Sequence, residues 1–149
     1  MSDHDITVAR HLFEQYAAWL GVDLSFQSFD TELAGLPGPY ARPGGVILLA
    51  EHKRIAVGCV ALRSIGDHTA EAKRLFVVPA YRGRGLGRQL MNVVIAEAKQ
   101  VGYARIWLDT IPMMTTARVL YESLGFEEIA PYYHNPIDGT VYMELVLDS

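Results

Sequence analysis

The sequence has only one cysteine and no apolar stretch long enough to span a membrane. It contains 149 residues, so we expect a single domain over residues 1–149 with enough chain to bury a core. One cysteine cannot form a disulfide within the chain, and Cys59 lies in the apolar run IAVGCVAL. We expect a buried strand residue there. A catalytic nucleophile is the alternative, but no nearby histidine pattern would activate the thiol.

The chain also lacks a surplus of basic residues. Thirteen Lys and Arg against 17 Asp and Glu give a formal net charge of -4, which argues against a nucleic-acid-binding protein. The N-terminal segment MSDHDITVAR lacks the basic and apolar regions of a secretory signal. We therefore expect a cytoplasmic protein that does not associate with membranes. We expect no metal site, because four histidines show no suitable spacing with acids or cysteines: His4, His11, His52 and His68.

The spacing of apolar residues predicts an alternation of helices and strands. Helical spacing predicts helices near residues 7–20, 29–36, 86–101 and 117–124. Short apolar runs predict strands near residues 46–50, 55–62, 70–78, 105–108, 127–129 and 141–147. This order indicates one α/β domain, α+β in some classifications. Its mixed sheet is antiparallel at first, with at least one crossover through the long third helix.

The stretch RGRGLGRQL, residues Arg82 to Leu90, places glycines at alternate positions between a predicted strand and a predicted helix. Glycines let successive backbone N–H groups converge, and the N-terminus of a helix attracts anions. The neighbouring arginines add positive charge, so a diphosphate fits this segment. The spacing matches neither the GxxxxGK[ST] phosphate loop nor the GxGxxG dinucleotide motif. A solvated turn without a ligand remains the alternative.

Two motifs together resemble the GNAT superfamily of N-acetyltransferases. The first, Arg82 to Gly87, matches that family's coenzyme A pyrophosphate motif, Gln/Arg-x-x-Gly-x-Gly/Ala. The second, ARVLYESLGFEEI, resembles its A-x-x-x-Y-x-x-x-G-F helix and turn. The resemblance covers roughly Val46 to Leu147. It implies the GNAT fold, a mixed central sheet flanked by helices. The family's first strand should be short or absent here, because only about six residues precede the first predicted helix.

The resemblance also implies a function. We expect an N-acetyltransferase that moves an acetyl group from acetyl-CoA, without a metal, to a primary amine of a small molecule of amino acid or polyamine type. A bulged strand would bind the cofactor through its backbone, at Phe76, Val77 and Val78. The glycine loop would bind the pyrophosphate through Arg82, Gly83, Arg84, Gly85, Leu86, Gly87 and Arg88. One departure is Met114, which stands where many members have an asparagine that contacts the pantetheine arm.

The second motif implies that Tyr121 is the general acid for the coenzyme A thiolate. A tyrosine of the hydrophobic core is the alternative. Glu71 lies eleven residues before Arg82, where histone-acetylating members carry a catalytic base. The alternatives are an exposed strand-end carboxylate paired with Lys73 or Arg63, and a chain of ordered waters in place of a single base.

The segment PYYHNPIDG predicts a stiff polar loop near the final strands, where the resembling fold places substrate. We expect substrate contacts from Tyr133 and from His134, which is also a second candidate base. Tyr40 and Arg74 are further candidates, the arginine for a substrate carboxylate. Two alternatives to a small-molecule transferase stay open: a non-catalytic domain that binds or senses acyl-CoA, and an enzyme acting on a protein amine. The oligomeric state is also open, with a homodimer among the alternatives.

Overall fold

A computed structural model describes residues 1–21, 24 and 28–147. Its four α-helices in these residues are α1 (Asp3–Leu20), α2 (Phe29–Ala34), α3 (Leu86–Val101) and α4 (Thr115–Ser123). Its strands are β1 (Val46–His52), β2 (Ile55–Gly66), β3 (Thr69–Val77), β4 (Arg105–Thr110), β5 (Glu127–Ile129) and β6 (Val141–Val146). Every predicted helix and strand is therefore confirmed, with shifted ends.

The first helix begins four residues earlier than the apolar spacing predicts. Ser2 is its N-cap: the Ser2 hydroxyl accepts from the Asp5 N–H, and the Asp5 carboxylate accepts from the Ser2 N–H. This capping box satisfies two backbone donors that the helix cannot pair internally. Two residues, rather than six, precede α1, and no strand precedes it in the described part of the chain. The second helix ends at Ala34 instead of Leu36. Pro37 disfavours helical geometry in the residue that precedes it, which is Leu36.

The six strands form one mixed sheet in the order β1-β2-β3-β4-β6-β5. All neighbours are antiparallel except β3 and β4, which run parallel and are joined by α3. A parallel connection requires a crossover, and α3 supplies it. The predicted mixed sheet with an early antiparallel part is confirmed.

Helices cover both faces of the sheet. Along β2, Val60 and Leu62 pack into the core beneath α3, while Cys59 and Ala61 pack into the core beneath α1 and α2. Because successive strand residues point to opposite faces, a strand between two cores is apolar at nearly every position. Cys59 is fully buried, as predicted, and burial raises the pKa of its thiol to about 12.

The parallel pair opens into a cleft. The two strands pair only where Thr69–Glu71 of β3 meets Arg105–Trp107 of β4, although β4 continues to pair with β6 as far as Thr110. On its other side, where it pairs with β2, β3 contains a β-bulge. Lys73 pairs with Ala61 and Phe76 pairs with Cys59, so β3 has one extra residue between these two pairs. Arg74 lies in the bulge and has a φ of 63°. A bulge bends its strand. The second half of β3 therefore has a backbone edge that does not pair with β4.

Within residues 1–21, 24 and 28–147, no helix is long and apolar enough to cross a membrane. The same residues contain no group of three His, Cys, Asp or Glu side chains arranged for a metal ion.

Candidate active site

A groove of about 530 Å³ runs along the free edge of β3 and past the glycine loop to α4. Eight of the ten residues predicted to bind the cofactor line it: Phe76, Val77, Arg82, Gly83, Gly85, Leu86, Gly87 and Arg88. Val78 differs, because its N–H already donates to the Val57 carbonyl at 2.9 Å. Val78 also lies outside the groove lining. The binding role of all ten residues stays a prediction.

The glycine loop has the conformation that an anion site requires. Gly83 and Gly85 have φ values of 80° and 79°, a region that residues with a Cβ rarely adopt. Gly85 is the N-cap of α3, and no side chain of the described residues caps the helix there. The first N–H groups of α3 and the positive end of its dipole therefore face the groove. This geometry suits a diphosphate.

The arginines of the loop are held by neighbouring groups. The Arg82 guanidinium lies 4.3 Å from the centre of the Trp19 ring, and its Nε donates to the Val77 carbonyl at 2.9 Å. Arg84 lies outside the groove lining, 4.9 Å above the Tyr81 ring, and Arg88 donates to Ser123 Oγ at 2.8 Å. The cation–π contact joins the end of α1 to the loop. Sequence reasoning missed Trp19, because helical spacing does not show which exposed ring meets a distant loop.

A smaller cavity, of about 40 Å³, lies in the cleft between β3 and β4. Leu75 and Met114 line both this cavity and the groove, so the two spaces adjoin. Polar residues from five parts of the chain meet on its wall: Tyr16, Lys73, Arg74, Asp109, Tyr121 and Asn135. A small reacting group that leaves the groove at Leu75 would therefore meet both acidic and basic side chains.

Tyr121 lies in α4 with only 6% of its surface exposed, against the Phe126 ring. Burial raises its pKa well above the ordinary value of 10. The phenol therefore keeps its proton over the physiological range and is available as a hydrogen-bond donor and general acid. The structure places this predicted acid on the cavity wall. Its catalytic role stays a prediction.

Glu71, the predicted base, is 2% exposed and is absent from the cavity lining. Its Oε1 accepts from Arg63 Nε at 2.9 Å and Nη2 at 2.8 Å, and its Oε2 accepts from the Tyr132 hydroxyl at 2.6 Å. Both carboxylate oxygens are thus engaged. The pairing with Arg63 is the one given above as the alternative to a catalytic base, but the carboxylate is buried rather than exposed.

Asp109, near the end of β4, does line the cavity. Its Oδ2 accepts hydrogen bonds from the Tyr133 hydroxyl and, at 2.9 Å, from the Asn135 amide. Sequence reasoning missed both Asp109 and Asn135. The sequence does contain one signal for Asp109: it is an acidic residue directly after the short apolar strand predicted to end at Leu108. Ligands bind at the carboxyl ends of the strands in open α/β sheets.

The remaining predicted substrate residues lie in different places. Tyr133 reaches the cleft through Asp109, whereas His134 is exposed on an open surface of the same loop. Tyr40 is 2% exposed, packs edge-on against Phe13 and does not line the cavity. Arg74 lines the cavity but forms a bidentate ion pair with Glu32, with both N–O distances 2.9 Å.

The sequence model of the acetyltransferase (GNAT) domain matches residues 43–128. An uncharacterised N-acetyltransferase of Schizosaccharomyces pombe is 40% identical over 147 residues, which cover 97% of this chain and 90% of that protein. The chain belongs to the GNAT acetyltransferase family. It is therefore an acyltransferase of the N-acetyltransferase type, and this favours the enzyme over a non-catalytic binding domain.

Solved GNAT structures agree with the fold. A GNAT family acetyltransferase from Staphylococcus aureus Mu50 superimposes with a TM-score of 0.82 at 22% identity, covering 99% of this chain and 96% of that one. YncA of Salmonella typhimurium was solved with its cofactor acetyl-CoA and superimposes with a TM-score of 0.61 at 25% identity. The match covers 71% of this chain and 66% of the YncA chain. The GNAT fold predicted from the two motifs is thus confirmed.

Proposed function

We propose that this GNAT enzyme transfers an acetyl group from acetyl-CoA to a primary amine of a small molecule. The observation that carries the proposal is the cavity between β3 and β4, whose wall includes both Tyr121 and Asp109. A tyrosine that keeps its proton and a carboxylate that can accept one are the two groups that amine acylation needs from the protein.

The groove fits acetyl-CoA by its chemistry. The N-terminus of α3 offers unpaired N–H groups to a diphosphate, and a Cβ built on Gly83 or Gly85 would meet no protein atom within 4 Å. The free edge of β3 offers peptide groups to an amide-containing arm, as an added strand would use them. The relative YncA, with acetyl-CoA bound, supports this choice of co-substrate. When bound, acetyl-CoA supplies an activated thioester.

Asp109 is the better candidate for the base. It lines the cavity, and the described residues give no hydrogen bond to its Oδ1, whereas Glu71 has both oxygens engaged. In this proposal the bound ammonium group first releases one proton to solvent, and Asp109 accepts the second proton as the neutral amine forms the new C–N bond. Tyr121 gives its proton to the sulfur as the C–S bond breaks. Asn135 and Tyr133 hold the carboxylate in position.

A small acceptor is favoured because the last loop packs over the cleft. Tyr132 bonds to Glu71 on β3, while Tyr133 and Asn135 bond to Asp109 on β4. The cavity that remains holds about 40 Å³, only a few times the space that one water needs.

The test is thiol release from acetyl-CoA with a panel of amino acids, polyamines and short peptides. Turnover with a small amine that falls about a hundredfold in Tyr121→Phe, at unchanged coenzyme A affinity, is the expected result. Turnover with peptides alone would overturn the small-molecule acceptor. Equal turnover by Tyr121→Phe would overturn the assigned acid.

A further inference from the structure

Some charged side chains around the cleft form close ion pairs, and others do not. Arg63 pairs with Glu71, and Arg74 pairs with Glu32. These are close ion pairs, with N–O distances of 2.8 and 2.9 Å. Two opposite charges of the cavity wall remain outside these pairs: Lys73 on β3 and Asp109 on β4.

Lys73 is a buried cation without a close anion. Its side chain is 8% exposed, and its Nζ lies 3.9 Å from Glu71 Oε1, beyond hydrogen-bonding distance. That oxygen already accepts two N–H groups of Arg63. Burial lowers the pKa of Lys73, although the Glu71 and Asp109 carboxylates act in the opposite direction. A charge in this position is stabilised by an anion that enters the cavity.

The opposite wall carries Asp109, whose Oδ2 is held by Tyr133 and Asn135. A molecule with an ammonium group beside a carboxylate matches both walls: the ammonium faces Asp109 and the carboxylate faces Lys73. We propose that the acceptor is an aminocarboxylate, an amino acid or a close relative, and that Lys73 binds its carboxylate. This inference rests on the proposed function and narrows its acceptor.

The same charges disfavour a polyamine. A second ammonium group near the acylated amine would approach Lys73 and the buried Arg74 guanidinium, since both line the cavity. Like charges in a poorly hydrated site repel strongly. A neutral amine meets no such repulsion, but it leaves the Lys73 charge without its anion.

The experiment compares three acceptors with one carbon skeleton: an amino acid, its carboxamide and the amine that lacks the carboxylate. The α-amine of a carboxamide is less basic than that of the amino acid, whereas the simple amine is more basic. A preference for the amino acid over both therefore reports recognition of the carboxylate rather than amine reactivity. We expect kcat/KM for the amino acid to exceed that of each analogue by about a hundredfold.

Lys73→Met removes the charge and keeps a chain of similar length. We expect it to raise KM for the amino acid about a hundredfold and to leave kcat/KM for the two analogues nearly unchanged. Lys99→Met, at an exposed position of α3, is the matched control and should change none of the three. The wild-type comparison decides the matter alone if Lys73→Met does not fold.

The outcomes separate the two proposals. If the carboxamide and the simple amine react as well as the amino acid, the aminocarboxylate inference is wrong and the acetyltransferase proposal stands. If none of the amines in either panel releases thiol from bound acetyl-CoA, the proposed function is itself wrong, and the inference fails with it.

Discussion

The hydroxyl of Tyr132 donates a 2.6 Å hydrogen bond to Glu71 Oε2 and so ties the last loop to β3. The ring also packs against Trp107 of β4, with 4.8 Å between ring centres. One residue of the loop thus holds both strands of the parallel pair, just where their pairing ends. Glu71 is accordingly an anchor for the loop.

The two carboxylates should respond differently to neutralisation. Asp109→Asn should lower kcat about a hundredfold or more at unchanged fold, because the amide cannot accept the proton of the amine. Glu71→Gln should instead lower the free energy of unfolding by about 3 kcal/mol, because it leaves the Arg63 guanidinium without its anion. Steady-state kinetics and urea denaturation measure the two effects. A folded Glu71→Gln enzyme with the larger loss of kcat would restore Glu71 as the base.

The ion pair between Arg74 and Glu32 should dominate the stability of the bulge. Glu32→Gln should lower the free energy of unfolding by about 3 kcal/mol, because Arg74 is buried and loses its bidentate partner. Glu97→Gln is the matched control: Glu97 forms the same bidentate pair with the exposed Arg42, at 3.0 Å. There the expected change is about 0.5 kcal/mol or less. If urea denaturation gives equal losses of unfolding free energy for Glu32→Gln and Glu97→Gln, burial does not explain the contribution of the Arg74–Glu32 pair.

Two substitutions in the glycine loop should distinguish the effect of backbone strain from the effect of ligand contact. Gly85→Ala should lower the free energy of unfolding by about 1 kcal/mol, since its φ of 79° is unfavourable for alanine. It should also weaken coenzyme A binding in calorimetry. Gly87→Ala should not destabilise the fold, because Gly87 is helical and an added Cβ meets only Leu120 Cδ2 at 3.5 Å. Unchanged coenzyme A affinity in Gly85→Ala would argue against a diphosphate at this loop.

Two tyrosines of the cavity wall should make the protein sensitive to alkali. Burial raises the pKa of Tyr16 to about 12 and also raises that of Tyr121. In the unfolded chain these phenols ionise near pH 10. A folded-state pKa above the unfolded value contributes stability that is complete below pH 10 and is lost as the pH rises. Tyrosinate absorbance and circular dichroism should therefore change together above that pH. Ionisation of these tyrosines at pH 10 in the folded protein would contradict their burial.

The sequence predicted the features that depend on local patterns. The glycine loop, α3 and the placement of Tyr121 in α4 follow from residue types at short spacing, and the structure has them. Asp109 was missed because its importance arises from contacts with Tyr133 and Asn135, which lie 24 and 26 residues further along the chain. Glu71 was chosen by its spacing from the glycine loop, which does not show that Arg63 and Tyr132 occupy both its oxygens.

The cavity wall has a further consequence for how acceptor preference can change. Tyr16, Leu20 and Leu24 precede the segment matched by the family model, Asn135 and Ile137 follow it, and all five line the cavity. The glycine loop and Tyr121 lie within that segment. The flanking segments thus supply part of the cavity wall, and Lys73 and Asp109 supply another part from within the family segment. Exchanging residues 129–147 with those of a relative should therefore change the shape of the cavity wall while the glycine loop keeps its sequence.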